Sequence, residues 1–252
     1  MKIEYMRHYS GHLGREMEFK VYGHSGKPVI FIPCQGGRYF DFENFKMVDY
    51  WARWIEEGRC TVYSIDCIDN ETYADKDGDP RRRIELHERW YNYVIEEMVP
   101  TIRHLSGLAN GYDQPIMLFG ASMGAMHAGN FFFRRPDIFD CVFAISGLYD
   151  SEDSFGSYMD DLVYQNTPCC YLPNMPEDHP YIELYNSRKM LFVVGQGAWR
   201  TCFWKAPAAF TASCKARVSM PRWSIGVTMW ITTGPGGTKW WSIMCPGFYK
   251  KR

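Results

Sequence analysis

The stretch "GASMGAMHAG", residues 120–129, places Ser122 between Gly120 and Gly124, directly after the apolar run "PIMLF". Strand, tight turn and helix with Gly-x-Ser-x-Gly at the turn is the arrangement of a nucleophile elbow. The turn is crowded and strained, so residues with side chains at the flanking positions would clash. Ser122 then stands at the head of a helix, whose first amides favour a developing negative charge. The Met123 amide is the first oxyanion-hole donor this predicts. A second glycine turn, Gly36–Gly37 in "VIFIPCQGGRYFDFENF", follows an earlier apolar run, and the amide of Gly37 or Arg38 is expected to supply the other donor. The structural alternatives are a Gly/Ser-rich turn without chemistry at 120–124 and a plain strand-to-loop turn at 36–37.

These turns need a scaffold, and the rest of the chain spells one. Candidate strands are 17–23, 28–34, 60–66, 115–121, 141–147 and 189–195, the last four reading as buried on both faces. Helical spacing runs over 42–58 and 81–105, with Pro100 a kink or break, and again after Ser122 up to Pro136. The alternation predicts an α/β fold: a mostly parallel central sheet with helices on both faces. Residues 151–182, polar and aromatic with several prolines, suit a small lid over the site.

At this point the chain resembles the α/β-hydrolases, and more narrowly the esterase family that includes S-formylglutathione hydrolases and feruloyl esterases. The "GGRYFDFE" turn, the "GASMGAMHA" elbow and "SGLYD" carry the resemblance, over residues 1 to about 199. It implies hydrolysis of carboxylic esters or thioesters through an acyl-enzyme on Ser122, with a Ser-acid-His triad in that chain order. It also implies a small-molecule ester or thioester as partner and no cofactor. The readings kept beside it are a non-catalytic binding protein on the same fold and an acyltransferase.

The triad does not complete itself. The last of the seven histidines is His179 and the last acidic residue is Glu183, so the places for an acid and a histidine after the 189–195 strand are empty. His127 lies down the axis of the elbow helix and reads as a packed helix residue; His179 falls in the lid. Asp150, closing "AISGLYD", is the possible surviving acid, with a loop-capping role as its alternative.

Composition offers a reason. All 29 acidic residues and 19 of the 28 basic ones lie in 1–199; residues 200–252 hold nine basic and no acidic residues, with five tryptophans and three cysteines. Joining the third base of each codon from Met229 to Gly237 to the first two of the next permits Val-Asp-His-Asp-Trp-Pro-Trp-Trp. That string looks like the family's catalytic-histidine loop. The tail after about Gly197 to Arg200 is therefore expected to be out of frame, with the histidine codon straddling Ile231 and Thr232 and a carboxylate near position 200. The alternative is a genuine basic interaction tail. Lacking a native last strand, the sheet is expected to keep an exposed edge.

The totals exclude other classes. A formal net charge of -1 provides no global field for nucleic acid or an anionic membrane. No apolar run is long enough to span a bilayer, the N-terminus lacks a signal-peptide core, and the nine cysteines show no zinc-ligand spacing, so a cytoplasmic protein without a metal is expected.

Overall fold

The computed structural model describes residues 1–194 and 222–225. An antiparallel hairpin opens the chain, β1 (Ile3–Ser10) and β2 (Arg15–Tyr22); β1 is a strand the sequence pattern did not suggest. Next come β3 (Lys27–Ile32), two short helices α1 (Asp41–Asn44) and α2 (Met47–Glu56), and β4 (Cys60–Ile65). The helical stretch expected over 42–58 is thus divided, and Lys46 at the junction takes a left-handed φ of 57°.

Helix α3 (Pro80–Asn92) leads through a π-helical turn, Tyr93–Met98, into α4 (Val99–Asn110). Pro100 lacks the amide hydrogen that would bond one turn back, and the widened turn just before it absorbs the mismatch rather than ending the helix. The elbow strand β5 (Ile116–Ala121), α5 (Met123–Arg134) and β6 (Phe139–Ile145) follow. Four short helices, α6 (Glu152–Phe155), α7 (Asp161–Gln165), α8 (Pro168–Asn174) and α9 (Pro180–Ser187), occupy the segment expected as a lid and run slightly past it.

Strand β7 (Lys189–Val194) and β8 (Arg222–Ile225) complete an eight-stranded sheet in the order β1-β2-β4-β3-β5-β6-β7-β8. β1, β2 and β4 pair antiparallel and every other neighbour is parallel. The exposed edge expected at β7 is corrected here: Leu191 to Val194 pair with Arg222 to Ile225. A ladder is made by backbone groups and tolerates many side chains, so tail residues can fill the place. The remainder of the 200–252 tail lies outside the described residues.

Period-two alternation divides the buried strands between two cores. Ile30, Ile32, Leu118, Val142 and Ala144 face one side, together with α3, α4 and α5 residues; Val29, Phe31, Met117, Phe119 and Phe143 face the other, under Phe42, Trp51 and Ile55. Helix α5 is buried all round. Phe131, Phe132 and Phe133 point about 100° apart on a helix, yet none is more than 1% exposed. Phe131 meets Trp90 and Tyr91 while Phe133 meets Tyr185 and Phe192, so the elbow helix is held between α3, the lid and the sheet.

His87 on α3 is fully buried, and burial together with neighbouring His127 pushes its pKa well below the usual histidine value. It is neutral in the folded chain, whereas the unfolded chain binds a proton below about pH 6.5. Stability from this group is therefore complete above that pH and lost as pH falls. We expect it to contribute a loss of about 1 kcal/mol between pH 6.5 and 5.5 in urea melts. His87→Phe should show a correspondingly shallower pH slope; an unchanged slope would contradict the assignment.

Candidate active site

Ser122 sits where β5 turns into α5, with φ 55° and ψ −126°. An L-residue held there costs on the order of 1–3 kcal/mol, and its surroundings show how it is held. The Ser122 amide donates to Ile145 O of β6 at 2.8 Å, and its carbonyl accepts from Ala125 and Met126 in the first turn of α5. A Cβ on Gly120 would fall within 3.0 Å of Gly124 and Ala125 backbone atoms; one on Gly124 would fall within 3.0 Å of Ile32 O and Pro33 O. The two glycines let strand, helix and neighbouring strand β3 close around one exposed serine.

The Met123 amide, at the N-terminus of α5, has no partner among the described residues. The other two expected donors are both hydrogen-bonded within their own turn. Gly37 N donates to Cys34 O at 2.8 Å, closing a turn through Gly36 with φ 64°, and Arg38 N donates to Asp41 Oδ2 at 3.1 Å. Both amides are thus engaged inside the turn. Gln35, one residue earlier, is the turn residue that lines the Ser122 pocket. The Gly36–Gly37 pair does lie in a tight turn just after β3.

That pocket has a volume of about 70 Å³ and is lined by Gln35, Ser122, Met123, Met126, Ser146, Leu148, Asp150, Asp153 and Ser154. Ser146, one strand over, shares with Ser122 a positive φ and an amide bond to the next strand. It ends β6 with φ 57°, its amide donates to Val193 O at 2.7 Å, and it is nearly buried. Its sequence signal was a serine-glycine pair closing a buried strand.

Asp150 shares this pocket, and Oδ1 accepts from Glu152 N at 3.1 Å, capping the turn into α6. Burial, with Glu152 and Asp153 nearby, raises its pKa above the ordinary carboxylate range, against the effect of that bond. The lid is fixed on this side by Arg83. Its guanidinium donates to Thr72 O, Tyr73 O and Ser154 O and lies over the Phe155 ring at 4.7 Å.

All seven histidines are described, and none lines the pocket. His127 Nε2 bonds Asp69 Oδ1 at 2.8 Å, both residues being buried, and the ring stacks on His87 at 5.1 Å. The sequence did not disclose this pair, which is 58 residues apart in the chain. His179 caps α9 by accepting from Tyr181 N at 3.1 Å. Among the described residues no three metal-binding side chains converge, no disulfide links two cysteines, and no helix is long and apolar enough to cross a membrane.

The strand order, the crossover helices and the strained serine at the head of α5 define an α/β-hydrolase fold with a nucleophile elbow. The family described as "Putative esterase" matches residues 10–232, and the chain belongs to that esterase family. No curated protein matches it. Among solved structures, a ferulic acid esterase is similar at TM-score 0.67 and 14% identity, covering 96% of this chain and 95% of that one. An S-formylglutathione hydrolase from Agrobacterium tumefaciens is similar at TM-score 0.66 and 16% identity, covering 98% and 92%. The S-formylglutathione hydrolase FrmB from Staphylococcus aureus is similar at 0.59 and 13%, covering 98% of each chain. At these identities the likeness is one of fold.

Proposed function

We propose that Ser122 is the nucleophile of a hydrolase for small carboxylic esters or thioesters, with the Met123 and Gln35 amides holding the oxyanion. The strained Ser122, packed in place by Gly120 and Gly124, carries this reading. Attack by Oγ on the carbonyl carbon forms the tetrahedral adduct, and collapse expels the alcohol or thiol. Water then releases the acid from the acyl-enzyme. The structural neighbours named for ferulic acid and for S-formylglutathione mark the two sides of the substrate class. A pocket of about 70 Å³ favours the small acyl side, since a void of about 150 Å³ is what benzene occupies.

Each step needs a proton acceptor, and no pocket histidine supplies one. The proposal therefore includes the tail. Beyond about Gly197 to Arg200 the chain is read in a shifted frame, and the parent sequence carries a carboxylate near 200 and a histidine at the Ile231/Thr232 junction. Asp150 is assigned to capping α6, on its bond from Glu152 N. A small-molecule partner, no nucleic acid, no metal and a cytoplasmic location complete the reading.

Added imidazole is the direct test, because it can stand in for a missing general base. Release of p-nitrophenol from p-nitrophenyl acetate should rise with imidazole above the protein-free imidazole rate, and Ser122→Ala should abolish that excess. Equal rates with and without the Ser122 hydroxyl would remove it from the mechanism.

A further inference from the structure

A second, larger cavity of about 310 Å³ lies beside the same turn. The beginning of β2, the turn residues Gly36 and Arg38, and the segment after β4 enclose it. Because β2 runs antiparallel to β4, with Phe19 opposite Ile65, its beginning lies at the carboxyl edge of the parallel strands, where Ser122 also lies. Gln35 lines the Ser122 pocket and Gly36 lines this cavity, and adjacent α-carbons stand only about 3.8 Å apart.

The walls carry five carboxylates, Glu16, Glu18, Asp66, Asp69 and Glu71, against the guanidinium groups of Arg15 and Arg38. Both guanidiniums are engaged by acids of the same wall. Arg15 grips Glu71 at 2.7 and 3.1 Å, and Arg38 bonds Asp66 at 2.8 Å as well as Glu18. Negative charge is left over, and its most buried member is incompletely satisfied. Asp69 is 1% exposed; Oδ1 bonds His127, while Oδ2 has no hydrogen-bond partner among the described residues. A buried carboxylate oxygen left open in this way is uncommon and favours a donor that arrives with a ligand.

We infer that this cavity binds a primary ammonium group carried on the leaving-group side of the substrate, an inference that rests on the hydrolase reading above. Among the described residues no aromatic ring lines the cavity, which favours a hydrogen-bonding ammonium over a quaternary one. The pocket at Ser122, at about 70 Å³, suits a small acyl group, and the neighbouring cavity suits a longer arm reaching across the turn. At about twice the 150 Å³ that takes benzene, the second cavity has room for a chain of several atoms.

Pentylammonium chloride, titrated calorimetrically into the full chain, tests the site without turnover. It should bind one to one and at least tenfold more tightly than 1-pentanol, equally well to Ser122→Ala. Glu18→Gln and Asp69→Asn should each weaken it at least tenfold. Glu18→Gln keeps the test sound if breaking the Asp69–His127 pair prevents folding. Equal binding of the amine and the alcohol, or affinity unchanged in Glu18→Gln, would overturn the site. Amine binding as expected with no Ser122-dependent hydrolysis would uphold the cavity and refute the nucleophile, so the two failures read differently.

Discussion

A gene repaired by one inserted base near codons 197–200 is expected to yield a protein that hydrolyses p-nitrophenyl acetate roughly 10⁴- to 10⁶-fold faster than this chain. The magnitude follows from how a triad fails. Without its histidine, a serine hydroxyl is a weak nucleophile, and the leaving group departs unprotonated. The oxyanion amides and the pocket still act, which leaves a remnant over the solvent reaction. Triad members are non-additive, so Ser122→Ala should cost almost the whole gain in the repaired protein and little in the present chain without imidazole. Steady-state kinetics on the four proteins, frame by Ser122 variant, would check this. A repaired protein no faster than the present one would show that the missing base was never encoded in that frame.

Gly124→Ala is expected to destabilise the chain by about 2–4 kcal/mol and to lower turnover of the repaired protein more than tenfold. The new methyl would meet Ile32 O and Pro33 O, backbone atoms of β3 and the turn beyond it. Neither can swing aside like a side chain, so α5 and β3 must separate, and the Gln35 turn moves with them. Gly107 in α4 is the contrasting case, with nothing within 4 Å of an added Cβ. Gly107→Ala should stabilise by about 0.5–1 kcal/mol. Denaturant midpoints of the two variants should shift in opposite directions; a shared direction would mean that contact at Gly124 does not set the effect.

What could be read in advance divides along a physical line. The parallel strands announced themselves because burial on both faces leaves continuous apolar runs such as "PIMLF" and "CVFAI". Ser122 was legible because the elbow needs glycines at two fixed spacings. β1 escaped because its residues are mostly exposed and its pattern carries no core signal. The hydrogen bonding inside the Gly36–Gly37 turn escaped for another reason. Which amide of a tight turn remains available depends on which carbonyls and carboxylates close it, and Cys34 O and Asp41 Oδ2 take the two amides that the glycine pattern favoured. The Asp69–His127 pair and the larger cavity join segments far apart in sequence, and no local period encodes such a meeting.

The paired serines have an entropic consequence. Ser122 and Ser146 end adjacent strands in the same left-handed φ range, and each amide is tied to the carbonyl of the next strand over. Residues at strand ends ordinarily retain conformational freedom that a reaction must later remove. Here that freedom is surrendered when the sheet assembles, so the floor of the pocket is ordered before any substrate arrives. A change at the proposed proton acceptor would leave this untouched, since the ordering resides in backbone bonds between β5, β6 and β7 rather than in the triad.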